Sequence, residues 1–128
     1  MNFLPTILVI GIGATIGASL RYYLGLAAAS WLGAGFAYGT LIANVTGAFI
    51  AGIFVVIILE KSLLSDAYRL LLLVGLCGSL TTFSAFSIET LQFLQANYYL
   101  KAGLNIGLNV GLSLLALAFG ASLTKIIL

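Results

Sequence analysis

The sequence predicts an all-α membrane protein with four transmembrane helices, the third broken near mid-membrane. Three observations lead there. The 128 residues are 62% hydrophobic and 6% charged, whereas ordinary globular chains are roughly 25% charged, so the chain has too few polar groups to coat itself against water. Four segments are each apolar over the roughly 20 residues that a helix needs to cross a bilayer. The third carries a run rich in Gly, Ser and Thr at its centre, where such residues weaken a regular helix.

The four spans are expected at about 4–24, 38–59, 67–96 and 102–127, as one four-helix unit covering residues 1–128. The first ends in Arg21, Tyr22 and Tyr23, and a loop over 27–37, with Trp31 and Phe36, leads to the second. The clearly polar connection runs from Glu60 to Arg69, with Ser65 placed to cap the third span. Asn97, Tyr98, Tyr99 and Lys101 separate the third from the fourth. Tyrosines beside Arg21 and Lys101 at one face, and Tyr68 beside Arg69 at the other, match the aromatic belts of membrane interfaces. An even number of spans brings both termini to one side.

Basic residues divide almost evenly between the two faces. Lys61, Arg69 and Lys125 lie on the terminal side, Arg21 and Lys101 on the other, which is hardly a positive-inside bias. Either one orientation wins through a detail outside the count, or copies insert both ways and pair as a dual-topology antiparallel homodimer. No internal repeat supplies inverted halves within the chain. Gly13 with Gly17, and Gly103 with Gly107 and Gly111, form small-residue stripes of the kind that let helices approach closely in lipid. Asn105, Asn109 and Ser113 recur on the opposite face of the fourth span, a polar stripe that should meet protein or water rather than lipid.

Several function classes drop out. Histidine is absent, which excludes imidazole ligation and His-based acid–base chemistry, and Cys77 alone cannot form an intrachain disulfide. A formal charge of +2 gives no reason to expect nucleic acid, and Met1 to Leu20 lacks the basic start of a cleavable signal peptide. With no nucleophile–base pair and no metal-ligand cluster, an enzyme is not expected.

The stretch from Gly75 to Glu89 carries the most chemistry. A helix interrupted at the bilayer midplane builds ion sites, because unwound carbonyls bind cations and half-helix N-termini bind anions; the alternative is a kinked helix whose hydroxyls bond back to their own carbonyls. Phe83 and Phe86, three residues apart, share one helix face. Such a pair is ordinarily packing, but here Ser84 and Ser87 interleave it, and phenyl edges are electropositive, so the surface suits a small anion. Asn44 is a lone amide in the second span, able to donate to an anion without a trapping charge or to bond another helix. Arg21 either draws anions toward a vestibule or anchors the first span, and Glu89 reads equally as an interfacial acid.

Gly78-Ser79-Leu80-Thr81-Thr82-Phe83-Ser84-Ala85-Phe86-Ser87 with Glu89, Gly39 to Gly47 around Asn44, and Gly13, Gly17 and Arg21 together resemble the Fluc family of bacterial fluoride channels, also called CrcB. The resemblance covers nearly the whole chain. It implies a passive fluoride channel in the bacterial cytoplasmic (inner) membrane, an antiparallel dimer with two pores along the subunit interface. Phe83 and Phe86 would supply ring-edge fluoride contacts, Asn44 the pore amide, and Ser84 part of a hydroxyl track. Backbone carbonyls of Gly78 and Thr81 from both subunits would hold a structural sodium ion. Ala85 stands where the family commonly has Thr, removing one hydroxyl from that track. No fourth-span tyrosine faces the pore here, and Asn105 and Asn109 are its expected substitutes. The chief rival is a proton-coupled exporter of the small multidrug resistance type, also a four-helix dual-topology dimer; it needs a membrane-embedded carboxylate, and Glu89 is the only acid within a span, near its end. A non-transporting scaffold subunit is a second rival.

Overall fold

Helix α1 spans Phe3–Leu32 and stops at Gly33, whose φ of 82° favours a residue without a β-carbon. This computed structural model describes residues 2–128, and everything in it is helix or short connection. α1 runs beyond the expected end at residue 24 because Leu26, Ala27, Ala28 and Ala29 are strong helix formers, so the expected loop over 27–37 shrinks to 33–37.

α2 (Tyr38–Glu60) is α-helical to Phe54 and continues as wider π-helical turns over Val55–Glu60. The change begins at Val55, Val56, Ile57 and Ile58, whose branched side chains crowd the preceding turn. After a short connection comes α3 (66–80), π-helical over Arg69–Cys77. Ser65 does sit at its N-cap position, but its hydroxyl makes no capping bond. α4 (Phe83–Gln95) follows an interruption at Thr81 and Thr82, and α5 (Tyr99–Ile127) ends the chain. Counting α3 and α4 together, four helical stretches are long and apolar enough to cross a membrane.

Glycines set the helix packing. A β-carbon on Gly13 or Gly17 would collide with the carbonyl oxygens of Leu71 and Leu76, which is how closely α1 lies on α3. Gly52 and Gly120 do the same between α2 and α5, against the carbonyls of Leu117 and Phe49. Such approach is the route by which dispersion contacts hold helices together where lipid offers no hydrophobic drive. The Gly13–Gly17 stripe is thus used inside the chain. A β-carbon on Gly103, Gly107 or Gly111 would meet no other part of the described residues within 4 Å, while the opposite face of α5 buries Asn105 and Asn109.

Phe36 stacks on Phe93 with centroids 5.6 Å apart, and the Lys101 ammonium donates to the Gly35 carbonyl at 2.7 Å. At the opposite end Lys125 pairs with Glu60 at 2.9 Å. Between these ends large apolar side chains such as Ile12, Leu115 and Phe119 point outward, as expected of a protein whose solvent is lipid.

Candidate ion site at the broken helix

Thr81 (φ −78°, ψ 155°) and Thr82 (φ −152°, ψ 124°) are both extended, which ends α3 and restarts the helix as α4. At a rise of about 1.5 Å per residue, α3 covers at most ~22 Å and α4 about 20 Å, so the break falls near the middle of the span. Each helix end leaves unpaired backbone groups, and in a bilayer these must be met by protein, ions or enclosed water.

Side chains of α1, α2 and the break itself meet several of them. Asn44 of α2 accepts from the Thr82 N–H through Oδ1 (2.7 Å) and donates from Nδ2 to the Thr82 carbonyl (3.1 Å), so one amide replaces both lost backbone bonds. Thr82 Oγ1 caps α4 by accepting from the Ala85 N–H at 3.1 Å. Arg21 Nε donates to the Ser79 carbonyl at 3.1 Å, and the Thr81 hydroxyl bonds back to Cys77 at 2.9 Å. The carbonyls of Gly78, Leu80 and Thr81 have no hydrogen-bond donor among the described residues.

A cleft of about 350 Å³ opens beside the break, lined among others by Asn44, Thr82, Phe83, Phe86, Asn109 and Ser113. The two phenyl rings stand 5.2 Å apart, tilted by 59°. Phe86 is 8% exposed and Phe83 is 77% exposed, so one ring belongs to the chain's own core and the other projects from it. The Ser113 hydroxyl is buried without a partner among the described residues. Ser84 and Ser87 do not line this cleft: Ser87 Oγ donates to the Phe83 carbonyl (2.8 Å), and Ser84 Oγ lies 3.3 Å from Thr82 Oγ1.

The polar face of α5 continues the network. Asn44 Nδ2 also donates to Asn109 Oδ1 (2.9 Å), Asn109 Nδ2 to Asn105 Oδ1 (3.0 Å), and Asn105 Nδ2 to Thr90 Oγ1 (3.0 Å). The Thr90 hydroxyl ends the series on the Phe86 carbonyl at 2.8 Å. Asn105 is fully buried and does not line the cleft beside the break, whereas Asn109 does.

Arg21 and Glu89 lie on either side of Thr40. Arg21 borders a recess of about 410 Å³ with Tyr22, Gly25 and Thr40; Glu89 borders another of about 360 Å³ with Thr40 and Gln92. The Thr40 hydroxyl donates to Glu89 Oε1 at 2.6 Å, and Glu89 Oε2 is buried without a partner among the described residues. Sequence reasoning missed this pair, the Thr82 cap and Thr90. The first had a visible signal, two polar residues at matching depth in neighbouring spans; Thr90 bonds Asn105 across two helices and had none.

Chemically, the break gathers unpaired carbonyls suited to a hard cation and a cleft of ring edges and polar groups suited to a small anion. Among known proteins, the family described as "CrcB-like protein, Camphor Resistance (CrcB)" matches residues 8–121. The protein named "Fluoride-specific ion channel FluC" of Sulfurihydrogenibium sp. (strain YO3AOP1) is 45% identical over 120 residues, 94% of this chain and 97% of that protein. The one so named from Clostridium perfringens (strain 13 / Type A) is 42% identical over 99% of both chains. That of Methanococcus maripaludis is 50% identical over 105 residues, 81% of this chain and 83% of its own.

Proposed function

This chain belongs to the CrcB-like family, and from that membership we propose that it is a passive fluoride channel rather than an enzyme. The observation that carries the reading is the cleft at the break, where Phe83 and Phe86 stand together beside Asn44 and Asn109. Phenyl edges and neutral amides attract a small anion without the deep trap that a full positive charge would make. Ser113, buried and unpartnered in the same cleft, offers a hydroxyl donor.

Hydrogen fluoride crosses membranes neutral and ionises inside, so fluoride accumulates in the cell. An inside-negative potential then favours its exit by about 2.3 kcal/mol per 100 mV, and a pore needs no coupling ion. Two pores would run along the interface of an antiparallel homodimer. Phe83, exposed in the single chain, would lie at that interface, and Ser84 and Ser87 would extend the polar path beyond the cleft. Arg21 would raise the local anion concentration at the mouth, with Glu89 near the same end.

A sodium ion suits the dimer centre. The carbonyls of Gly78 and Thr81, without donors of their own among the described residues, would hold it. Its positive charge would neutralise oxygens that no hydrogen bond meets. The Thr81–Cys77 and Asn44–Thr82 bonds would help to hold the backbone of the break in place around it.

The test is fluoride efflux, read by electrode, from liposomes holding the purified protein alone. Rapid fluoride release with chloride retained is the expected result. Equal chloride release, or no release of either, would overturn the proposal.

A further inference from the structure

We infer that Thr90 and Asn105 are positioning residues for the permeation site, acting through a one-way series of hydrogen bonds that fixes the Phe83–Phe86 segment. The inference rests on the fluoride reading for its functional consequence, but not for its structural one. The series starts at the Thr82 N–H, immediately before Phe83, and passes through Asn44, Asn109, Asn105 and Thr90 to end on the Phe86 carbonyl. Both of its ends are therefore main-chain groups that bracket the two rings, while its middle is anchored on α2 and α5.

Direction follows from donor and acceptor identity. A backbone N–H can only donate, so Asn44 must turn Oδ1 toward Thr82, which leaves Nδ2 facing Asn109. Asn109 must then present Oδ1 to Asn44 and Nδ2 to Asn105, and Asn105 in turn presents Nδ2 to Thr90. The Phe86 carbonyl can only accept, which fixes the hydroxyl at the far end. A flip of Asn44 or Asn109 sets like groups against each other at both neighbours, and a flip of Asn105 sets Nδ2 against Asn109 Nδ2 and takes the Thr90 hydroxyl from the Phe86 carbonyl. Bonds aligned in this way polarise one another, and a buried series loses most when one member is removed.

Thr90 does not line the cleft. With its hydroxyl gone, Asn105 Nδ2 has only the Phe86 carbonyl, 3.5 Å away. Turning toward that oxygen draws Asn105 Oδ1 from Asn109, which leaves Asn109 Nδ2 on the Asn105 main-chain carbonyl alone, at 2.9 Å, and less firmly set against Asn44. The break and the rings lose their fixed placement although no residue of the cleft has changed.

Thr90→Val removes the hydroxyl at nearly constant shape, and Thr90→Ser restores it. Thr90→Ala is the second deletion variant should the valine protein fail to assemble. Thr124→Val is the control, deleting an equally buried threonine hydroxyl, bonded to Gly120 at the far end of α5. Two readouts apply to protein that elutes as wild type: fluoride efflux per incorporated protein, and deuterium uptake of the 81–86 segment. Thr90→Val should lower efflux about tenfold and raise uptake in 81–86, while Thr90→Ser stays within about twofold and Thr124→Val is unchanged. Wild-type efflux and uptake in Thr90→Val, or the same loss in Thr124→Val, would overturn the inference. If wild type itself carries no fluoride, the channel reading fails, and uptake alone decides: a rise confined to 81–86 upholds the series and no rise overturns it.

Discussion

At the residue scale, Phe83 and Phe86 are separable although they share a helix face. Replacing a ring with Ile removes the electropositive edge and keeps much of the bulk. Phe86 is buried, so Phe86→Ile should lower stability by about 1.5 kcal/mol or less, whereas Phe83→Ile, at an exposed site in the chain, should leave its fold untouched. Both should abolish most fluoride efflux if ring edges hold the ion; full flux through well-folded variants would reduce the pair to packing. Asn44→Asp keeps the acceptor for the Thr82 N–H but sets a carboxylate oxygen against the Thr82 carbonyl and Asn109 Oδ1. Unpaired buried groups cost about 1–3 kcal/mol each, so this variant should lose both conduction and thermal stability, read by efflux and by melting in detergent. The rings and the lone amide were legible in the sequence because spacing and isolation mark them. The partners of that amide were not, since Thr82 and Asn109 come from spans that only the fold brings together.

At the element scale, the Gly, Ser and Thr run left either a broken or a kinked third span, and the structure has it broken at Thr81 and Thr82. Composition revealed the weakness, but the place depends on where Asn44 and Arg21 can meet the freed groups. The end of α1 departs from expectation for a different reason: polar and aromatic residues at 21–23 look like a terminus, yet the helix continues until Gly33 supplies a positive φ. The two glycine stripes make opposite predictions. Gly17→Val drives a side chain into the Leu76 carbonyl, a backbone atom that cannot step aside, and should destabilise by about 1–3 kcal/mol or more. Gly107→Ala meets nothing within the chain and gains up to about 1 kcal/mol of helix propensity, so the isolated chain should be no less stable. A change in oligomer size for Gly107→Ala, read by light scattering, would show that a second copy covers that face of α5.

At the scale of the whole molecule, charge placement bears on how the chain enters a membrane. One end holds three cations and two acids, with Arg69 paired to Asp66 and Lys125 to Glu60; the other holds Arg21, Lys101 and Glu89. Acids contribute little to orientation, so the comparison that matters is three Lys and Arg residues against two. Arg21 still belongs to its face although α1 runs past it, because about 1.5 Å per residue puts it some 27 Å from the start of the helix, close to the ~30 Å of a hydrocarbon core. Insertion therefore has little electrostatic reason to choose a direction, and both orientations should be populated. Inverted pairing at the break would set carbonyl oxygens of two chains together, and because such oxygens only accept, it would need a shared cation between them. Cysteines placed at Leu63 and at Leu100, both exposed and at opposite ends, in a Cys77→Ala background test this directly. Each should react with an impermeant thiol reagent added from outside in about half of the copies, with the remainder labelled only after permeabilisation. Complete labelling of one site from outside and none of the other would mean a single orientation, and an antiparallel pair could not then form.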